Sequence, residues 1–178
     1  SRYVFESVKA AAAKKVKFNL VITSGFSEVG NQEEERQIVA YARAHGMRIL
    51  GPNIFGLYSA AAPVDITFGP GGIVPGHVAI ITQSGALGLA MIGKTAAEHI
   101  GISAMVSVGN KADLNEGDLI EYLVEDENTQ SILMYIEGVR DGARFVEVLK
   151  RATRVKPAVE IKSGRSRHGA AAAAPHPG

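Results

Sequence analysis

The stretch Val78-Ala79-Ile80-Ile81-Thr82-Gln83-Ser84-Gly85-Ala86-Leu87 decides how this chain folds. Its first four residues form an apolar run, mostly β-branched, of the length of one buried strand. Thr82, Gln83, Ser84 and Gly85 turn the chain, and residues 86–99 read as a helix. The unit then repeats, with strands predicted at 78–81, 103–108, 131–136 and 157–161 and helices at 86–99, 117–125 and 141–153. In the last helix Phe145, Val148, Leu149 and Ala152 share one face. Four strands joined by three helices call for right-handed crossovers and a parallel sheet covered on both faces. Upstream the alternation also holds: a helix over 2–14, a strand over 19–23 and a strand over 47–50. The helix between those strands opens at Asn31, with Glu34 three residues on, and stops at Gly46. Residues 54–76 carry Pro63, Pro70, Pro75 and five glycines, and read as an irregular crossover between domains.

Composition excludes several classes of function. At 178 residues, with 46% apolar and 21% charged residues, the chain can bury one sizeable core or two small ones. A formal net charge of +1 offers no field for nucleic acid or an anionic membrane surface. No cysteine is present, which removes disulfides and thiolate catalysis and fits a cytoplasmic location. No apolar run approaches the roughly 20 residues that span a bilayer. Ser1-Arg2-Tyr3-Val4-Phe5-Glu6 has no signal-peptide pattern and starts inside a helix, so a fragment of a longer protein is expected.

Ligands of an open parallel sheet bind at the carboxyl ends of its strands. That rule nominates four loops, at 82–85, 109–116, 137–140 and from Lys162 onward. The first joins strand directly to helix, where free N–H groups and the helix dipole attract an anion and Ser84 adds a hydroxyl. Ser84 is equally suited to capping the helix. Glu137 ends a strand on the same edge. His45 and His99 lie at helix ends and read as C-terminal caps, and His77 precedes a strand. His168 and His176 lie beyond the last strand. No set of histidines and acids has metal-ligand spacing, so no metal site is expected.

Taken in order, these segments resemble the NDP-forming acyl-CoA synthetases, the superfamily of ADP-forming acetyl-CoA synthetase and succinyl-CoA synthetase. Ile22-Thr23-Ser24-Gly25-Phe26-Ser27-Glu28-Val29-Gly30 is similar to the strand and loop that close the family's CoA-binding domain. Ile49-Leu50-Gly51-Pro52-Asn53 through Gly56 resembles its domain-closing signature, and Ile81-Thr82-Gln83-Ser84-Gly85-Ala86-Leu87 the opening of its ligase domain. Ser107-Val108-Gly109-Asn110-Lys111-Ala112-Asp113, Tyr135-Ile136-Glu137-Gly138 and Lys162-Ser163-Gly164-Arg165-Ser166 follow in the family's order.

The resemblance implies an α/β chain: residues 1–72 as the C-terminal half of a Rossmann-like CoA-binding domain, then 73–178 as an incomplete flavodoxin-like ligase domain. It implies an acid–thiol ligase component that interconverts acyl-CoA, NDP and phosphate with acid, CoA and NTP through an acyl-phosphate and a phosphohistidine. His176, twelve residues beyond Gly164, would be the phosphoryl carrier and Glu137 its partner carboxylate. Thr82, Gln83, Ser84 and Gly85 would cradle the phosphate, and Ile22, Thr23, Ser24, Gly25 and Asn53 would line the CoA side. ATP/ADP or GTP/GDP with Mg2+ would bind on an ATP-grasp partner subunit or fused domain, and a small carboxylic acid would be the co-substrate. Pro175 and Pro177 stand where the family has hydroxyl residues, and the glycine-rich first turn of its CoA-binding domain is not present. Two alternatives keep the fold: an acyl-CoA-sensing module of an acetyltransferase-fused homologue, and a non-catalytic interaction fragment.

Overall fold

The computed structural model describes residues 3–69 and 71–163, which fall into two compact units. The first comprises residues 3–54 and Val108–Asn115. It contains α1 (Val4–Ala13), β1 (Phe18–Leu20), a 3-10 turn at Ser27–Val29, α2 (Gln32–Ala44) and β2 (Arg48–Leu50). β1 and β2 pair in parallel, with Asn19 opposite Ile49. Val8, Phe26, Ile38, Met47 and Ile49 form the core of this unit, so both helices bury one stripe against the strands. Asn31 stands at the N-cap of α2 but its side chain does not cap it. Its amide instead donates to the carbonyl of Gly25 at 2.8 Å, which closes the preceding loop.

The second unit comprises Phe55–Ser107 and residues 116–163. It contains β3 (Gly56–Ser59), β4 (Val64–Thr67), β5 (Pro75–Thr82), α3 (Gly85–Ala97), β6 (Ile102–Ser107), α4 (Glu116–Glu125), β7 (Ser131–Ile136), α5 (Gly142–Ala152) and β8 (Ala158–Lys162). Its six strands lie in the order β4-β3-β6-β5-β7-β8. The four expected strands are the parallel part, β6-β5-β7-β8. Every residue of β6 is buried, as a central strand of a parallel sheet requires.

Residues 54–76 are an irregular crossover only in part, because residues 56–67 form two strands and their turn. β3 and β4 form an antiparallel hairpin, and β3 continues the sheet antiparallel to β6. Three of the residues that read as linker, Gly56, Pro63 and Pro75, serve the strands. Gly56 has φ +127, and a Cβ there would meet the carbonyl oxygen of Ile66 at 1.9 Å. Glycine is thus required where the two strands approach each other closely. Pro63 lies in the hairpin turn and Pro75 starts β5, where a missing N–H is tolerated. Pro70 lies outside the described residues.

Connectivity sets the position of the site. β5 leads through α3 to β6 on one side, whereas β7 leads through α5 to β8 on the other. Right-handed crossovers place α3 on one face of the sheet and α4 and α5 on the opposite face. The direction of winding therefore reverses between β5 and β7, and the rule for open sheets assigns the ligand crevice to their carboxyl ends.

Candidate functional site

The turn after β5 is built from its own hydroxyls. Thr82, wholly buried, accepts the Ser84 N–H at 3.2 Å through Oγ1 and donates the same hydroxyl to the Ser84 carbonyl at 2.9 Å. Ser84 caps α3, its Oγ accepting the Leu87 N–H at 3.3 Å. A hydroxyl that accepts one bond still has its proton to donate. The N–H of Gly88 goes to the Ser84 carbonyl. Gly85 and Ala86 are left with no main-chain partner among the described residues, at the positive end of a 13-residue helix. A Cβ on Gly85 would meet nothing within 4 Å.

Gln83 links this turn to the loop after β7. Its main-chain N–H donates to Tyr135 O at 3.0 Å, which extends the β5–β7 ladder by one bond. Its side-chain Oε1 accepts the N–H of Glu137 at 2.9 Å and that of Gly138 at 3.1 Å. From β8, Lys162 Nζ donates to Glu137 O at 2.7 Å and to Ser163 O. Ser163 Oγ is enclosed and has no hydrogen-bond partner among the described residues. Thr82 pairs with Tyr135 and Ile136 with Lys162, so the turn after β5, Glu137 and a lysine come to one edge of the sheet.

In the first unit, the residues expected on the CoA side form one exposed loop pair. Asn53 N–H donates to Thr23 O at 3.1 Å, tying residues 22–25 to the turn after β2. Ile22 is 42% exposed, and Thr23, Ser24 and Asn53 are exposed beside it. Gly25 and Asn53 both have positive φ, 101° and 62°. Two carboxylates brace this loop from behind. Glu28 accepts the N–H groups of Gly25 and Phe26, and buried Glu35 accepts that of Ser27 at 3.2 Å. Asn110 Nδ2 donates to both, at 2.5 Å to Glu28 and 3.0 Å to Glu35. Burial pushes the Glu28 carboxyl up, but the bonds from Asn110, Gly25 and Phe26 outweigh it and hold the pKa below the usual value. Asp113, its side chain fully enclosed, accepts from Arg43, Arg48 and the Ile49 N–H, and anchors the 108–115 segment to β2.

Of the three described histidines, His45 lies in the first unit and His77 and His99 in the second. His45 is the C-cap of α2 and bonds Tyr41 O at 2.8 Å. His99 follows the C-cap of α3 with φ 56. His77 lies inside β5, near its start, with Nδ1 2.9 Å from Asn128 O. His176 and His168 lie outside the described residues, as do Gly164, Arg165 and Ser166. Among the described residues no group of three or more His, Asp or Glu is placed to hold a metal ion, and no helix is long and apolar enough to cross a membrane.

Sequence reasoning missed three features. Glu28 and Asn110 were read only as letters of a motif and Glu35 was not singled out, yet the three form one cluster. Asp113 escaped because its partners are 65 and 70 residues away in sequence. Lys162 was visible as a strand-end lysine, but its contact with Glu137 depends on the register of β7 with β8.

Known proteins carry the same fold. The chain is 51% identical, over its whole length, to the alpha subunit of acetate–CoA ligase [ADP-forming] I of Pyrococcus furiosus, and covers 39% of that subunit. Over 93% of its length it is 37% identical to the 4-hydroxybutyrate–CoA ligase [ADP-forming] of Nitrosopumilus maritimus, of which it covers 24%. The dinucleotide-forming acetyl-coenzyme A synthetase 1 of Ca. Korarchaeum cryptofilum, solved with phosphate and ADP, superposes with a TM-score of 0.93 at 48% identity, over 97% of this chain and 38% of that one. These relatives are named as ligases or synthetases, not as acetyltransferases. The chain thus spans about two fifths or less of the relatives it matches. The succinyl-CoA ligase like flavodoxin domain matches residues 75–178, more than half of the chain, and the chain belongs to that family.

Proposed function

We propose that this chain is the phosphoryl-handling part of an ADP-forming acyl-CoA synthetase. The observation that carries the reading is the reversal of winding between β5 and β7: it sets two N–H groups that have no main-chain partner among the described residues, and Glu137, at neighbouring strand ends joined by Gln83. In the direction of NTP synthesis, a phosphate oxygen attacks the thioester carbonyl and CoA leaves as the thiol. A histidine nitrogen then attacks phosphorus in the acyl-phosphate and releases the carboxylic acid. The phosphohistidine finally passes its phosphoryl group to NDP. Such transfers depend on positioning and on neutralising charge. Thr82, Gln83, Ser84 and Gly85 supply the cradle through helix N–H groups and a hydroxyl. Glu137 accepts a hydrogen bond from the ring of His176 and fixes its tautomer.

CoA belongs to the exposed pair of loops at Ile22, Thr23, Ser24, Gly25 and Asn53. The names of the relatives support adenine nucleotide. Nucleotide and Mg2+ would be held by an ATP-grasp domain, fused or separate, since the described residues offer no metal-binding cluster. We place the enzyme in the cytoplasm. Incubating the chain and its nucleotide-binding partner with γ-labelled ATP tests the reading: acid-labile, base-stable label should appear on this chain, and its absence with every component present overturns the proposal.

A further inference from the structure

Both ends of the Glu137 residue are gripped by side chains from neighbouring strands. On one side its N–H and that of Gly138 converge on the single acceptor Gln83 Oε1, at 2.9 and 3.1 Å. On the other side its carbonyl accepts Lys162 Nζ at 2.7 Å, and the same ammonium reaches Ser163 O. Gln83 follows β5 and Lys162 ends β8, and these strands flank β7 on its two sides. Both grips act on the main chain, so they set the direction in which the Glu137 side chain leaves it. Glu137 lies just past the end of the β7 ladder, and the next residue is a glycine whose surroundings would accept a Cβ without contact.

We infer that Gln83 and Lys162 are positioning residues for Glu137, and that together they aim its carboxylate at the phosphoryl-transfer crevice. This rests on the reading of Glu137 as the carboxylate that orients the phosphorylated histidine. Two features set the pair apart from ordinary loop bracing. The two N–H donors on Oε1 decide which way the Gln83 amide faces, so its NH2 group turns away from Glu137. The partners of Lys162 are carbonyls, which do not cancel its charge, so a cation stays beside a site that binds an anion. Misplacing a reacting or orienting group by about 1 Å can slow transfer by about a hundredfold.

The test uses the intact enzyme with its nucleotide-binding partner. Gln83→Met keeps the volume and removes the acceptor, Gln83→Glu keeps an acceptor oxygen, and Lys162→Met removes the ammonium. Amide hydrogen exchange is followed at Glu137 and Gly138, with the amides of β6 as internal standard for the fold. Phosphohistidine formation is measured alongside. Gln83→Met should speed exchange at those two amides about tenfold or more and slow phosphorylation by about 10–100-fold at unchanged nucleotide KM. Gln83→Glu should restore the exchange protection, and Lys162→Met should slow phosphorylation in the same way. Unchanged exchange at both amides in Gln83→Met overturns the inference. So does a normal phosphorylation rate in Gln83→Met beside a slow Glu137→Gln, and that result leaves the reading of Glu137 standing. A normal rate in Glu137→Gln overturns that reading and the positioning role with it.

Discussion

The carboxamide oxygen of Gln83 and the main-chain N–H of Glu137 lie 2.9 Å apart, bridging the two strands at which the winding of the sheet reverses. The bond joins the turn that opens α3 to the loop that carries the acid. In the proposed site, an anion at the helix end and the carboxylate after β7 would be kept in a fixed relation by this one side chain. Changes on either side should therefore be separable into effects on the fold and effects on phosphoryl transfer.

Ser84 and Gly85 offer the first such separation. Ser84→Ala removes the cap on Leu87 and should cost about 1 kcal/mol of stability, a shift of about 2–4 °C in the unfolding midpoint. Gly85→Ala should leave stability unchanged or slightly raised, because its Cβ enters open space and alanine favours helix. If that space holds the phosphoryl group, Gly85→Ala should slow phosphorylation nonetheless. A stable Gly85→Ala enzyme with a wild-type rate would move the phosphate away from this helix end.

How far the sequence carried this reading follows from the range of the interactions involved. The parallel strands, their helices and the caps at Ser84 and His45 are local patterns, and each was legible, whereas the C-cap of α3 is Glu98 and His99 stands one place beyond it. The hairpin of β3 and β4 was not, because Gly56 has to be a glycine for its closeness to Ile66, ten residues on. Without that contact a glycine reads as a linker. Gln83 was expected in the phosphate cradle through the turn's backbone. That its side chain reaches Glu137, 54 residues away, depends on β5 pairing with β7 rather than with some other strand.

Gly88 reports on how closely α3 lies on the sheet. A Cβ there would meet Phe55 ring carbons at 2.3 and 2.7 Å and Thr82 Cγ2 at 2.9 Å. Gly88→Ala should destabilise the second unit by about 1–3 kcal/mol through overpacking. Phe55→Leu in the same chain should recover part of that loss, since it removes the obstructing ring. Urea unfolding of the single and double variants measures both, and two additive losses would mean that the ring and the Cβ do not meet.

Asp113 gives a pH dependence of defined sign. Burial raises its pKa, but hydrogen bonds from Arg48, the Ile49 N–H and Arg43 outweigh it, and the carboxyl titrates below the usual aspartate value. A depressed folded pKa contributes stability that is complete above the unfolded value, about 3.9, and is lost as pH falls through the folded one. The first unit should therefore weaken below about pH 4. Asp113→Asn should cost about 2–3 kcal/mol at neutral pH, less than for a fully buried pair because both arginines are half exposed. It should also flatten the acid limb. Exchange at the Ile49 amide, read from pH 3 to 7, follows both effects, and an acid limb unchanged in Asp113→Asn would assign it to other carboxylates.

Glu137 and His176 carry the chemical prediction. A histidine accepts a phosphoryl group only through an unprotonated ring nitrogen, so its other nitrogen must hold the proton. A carboxylate that accepts that proton's hydrogen bond fixes the tautomer and the angle of the ring. Glu137 suits the task because its main chain is held at both ends, by Gln83 and by Lys162, at the crevice between β5 and β7. Glu137→Gln keeps the size of the side chain but loses its charge, and an amide can present NH2 to the ring and favour the wrong tautomer. In the intact enzyme it should leave the unfolding midpoint within a few degrees and slow phosphohistidine formation by about a hundredfold or more, on the scale seen when an orienting acid is neutralised. His176→Asn should abolish the label, while His168→Asn should retain most of it. Peptide mapping of the labelled chain decides the carrier: label that survives His176→Asn, or maps to the peptide of His168, would transfer the role to the other histidine.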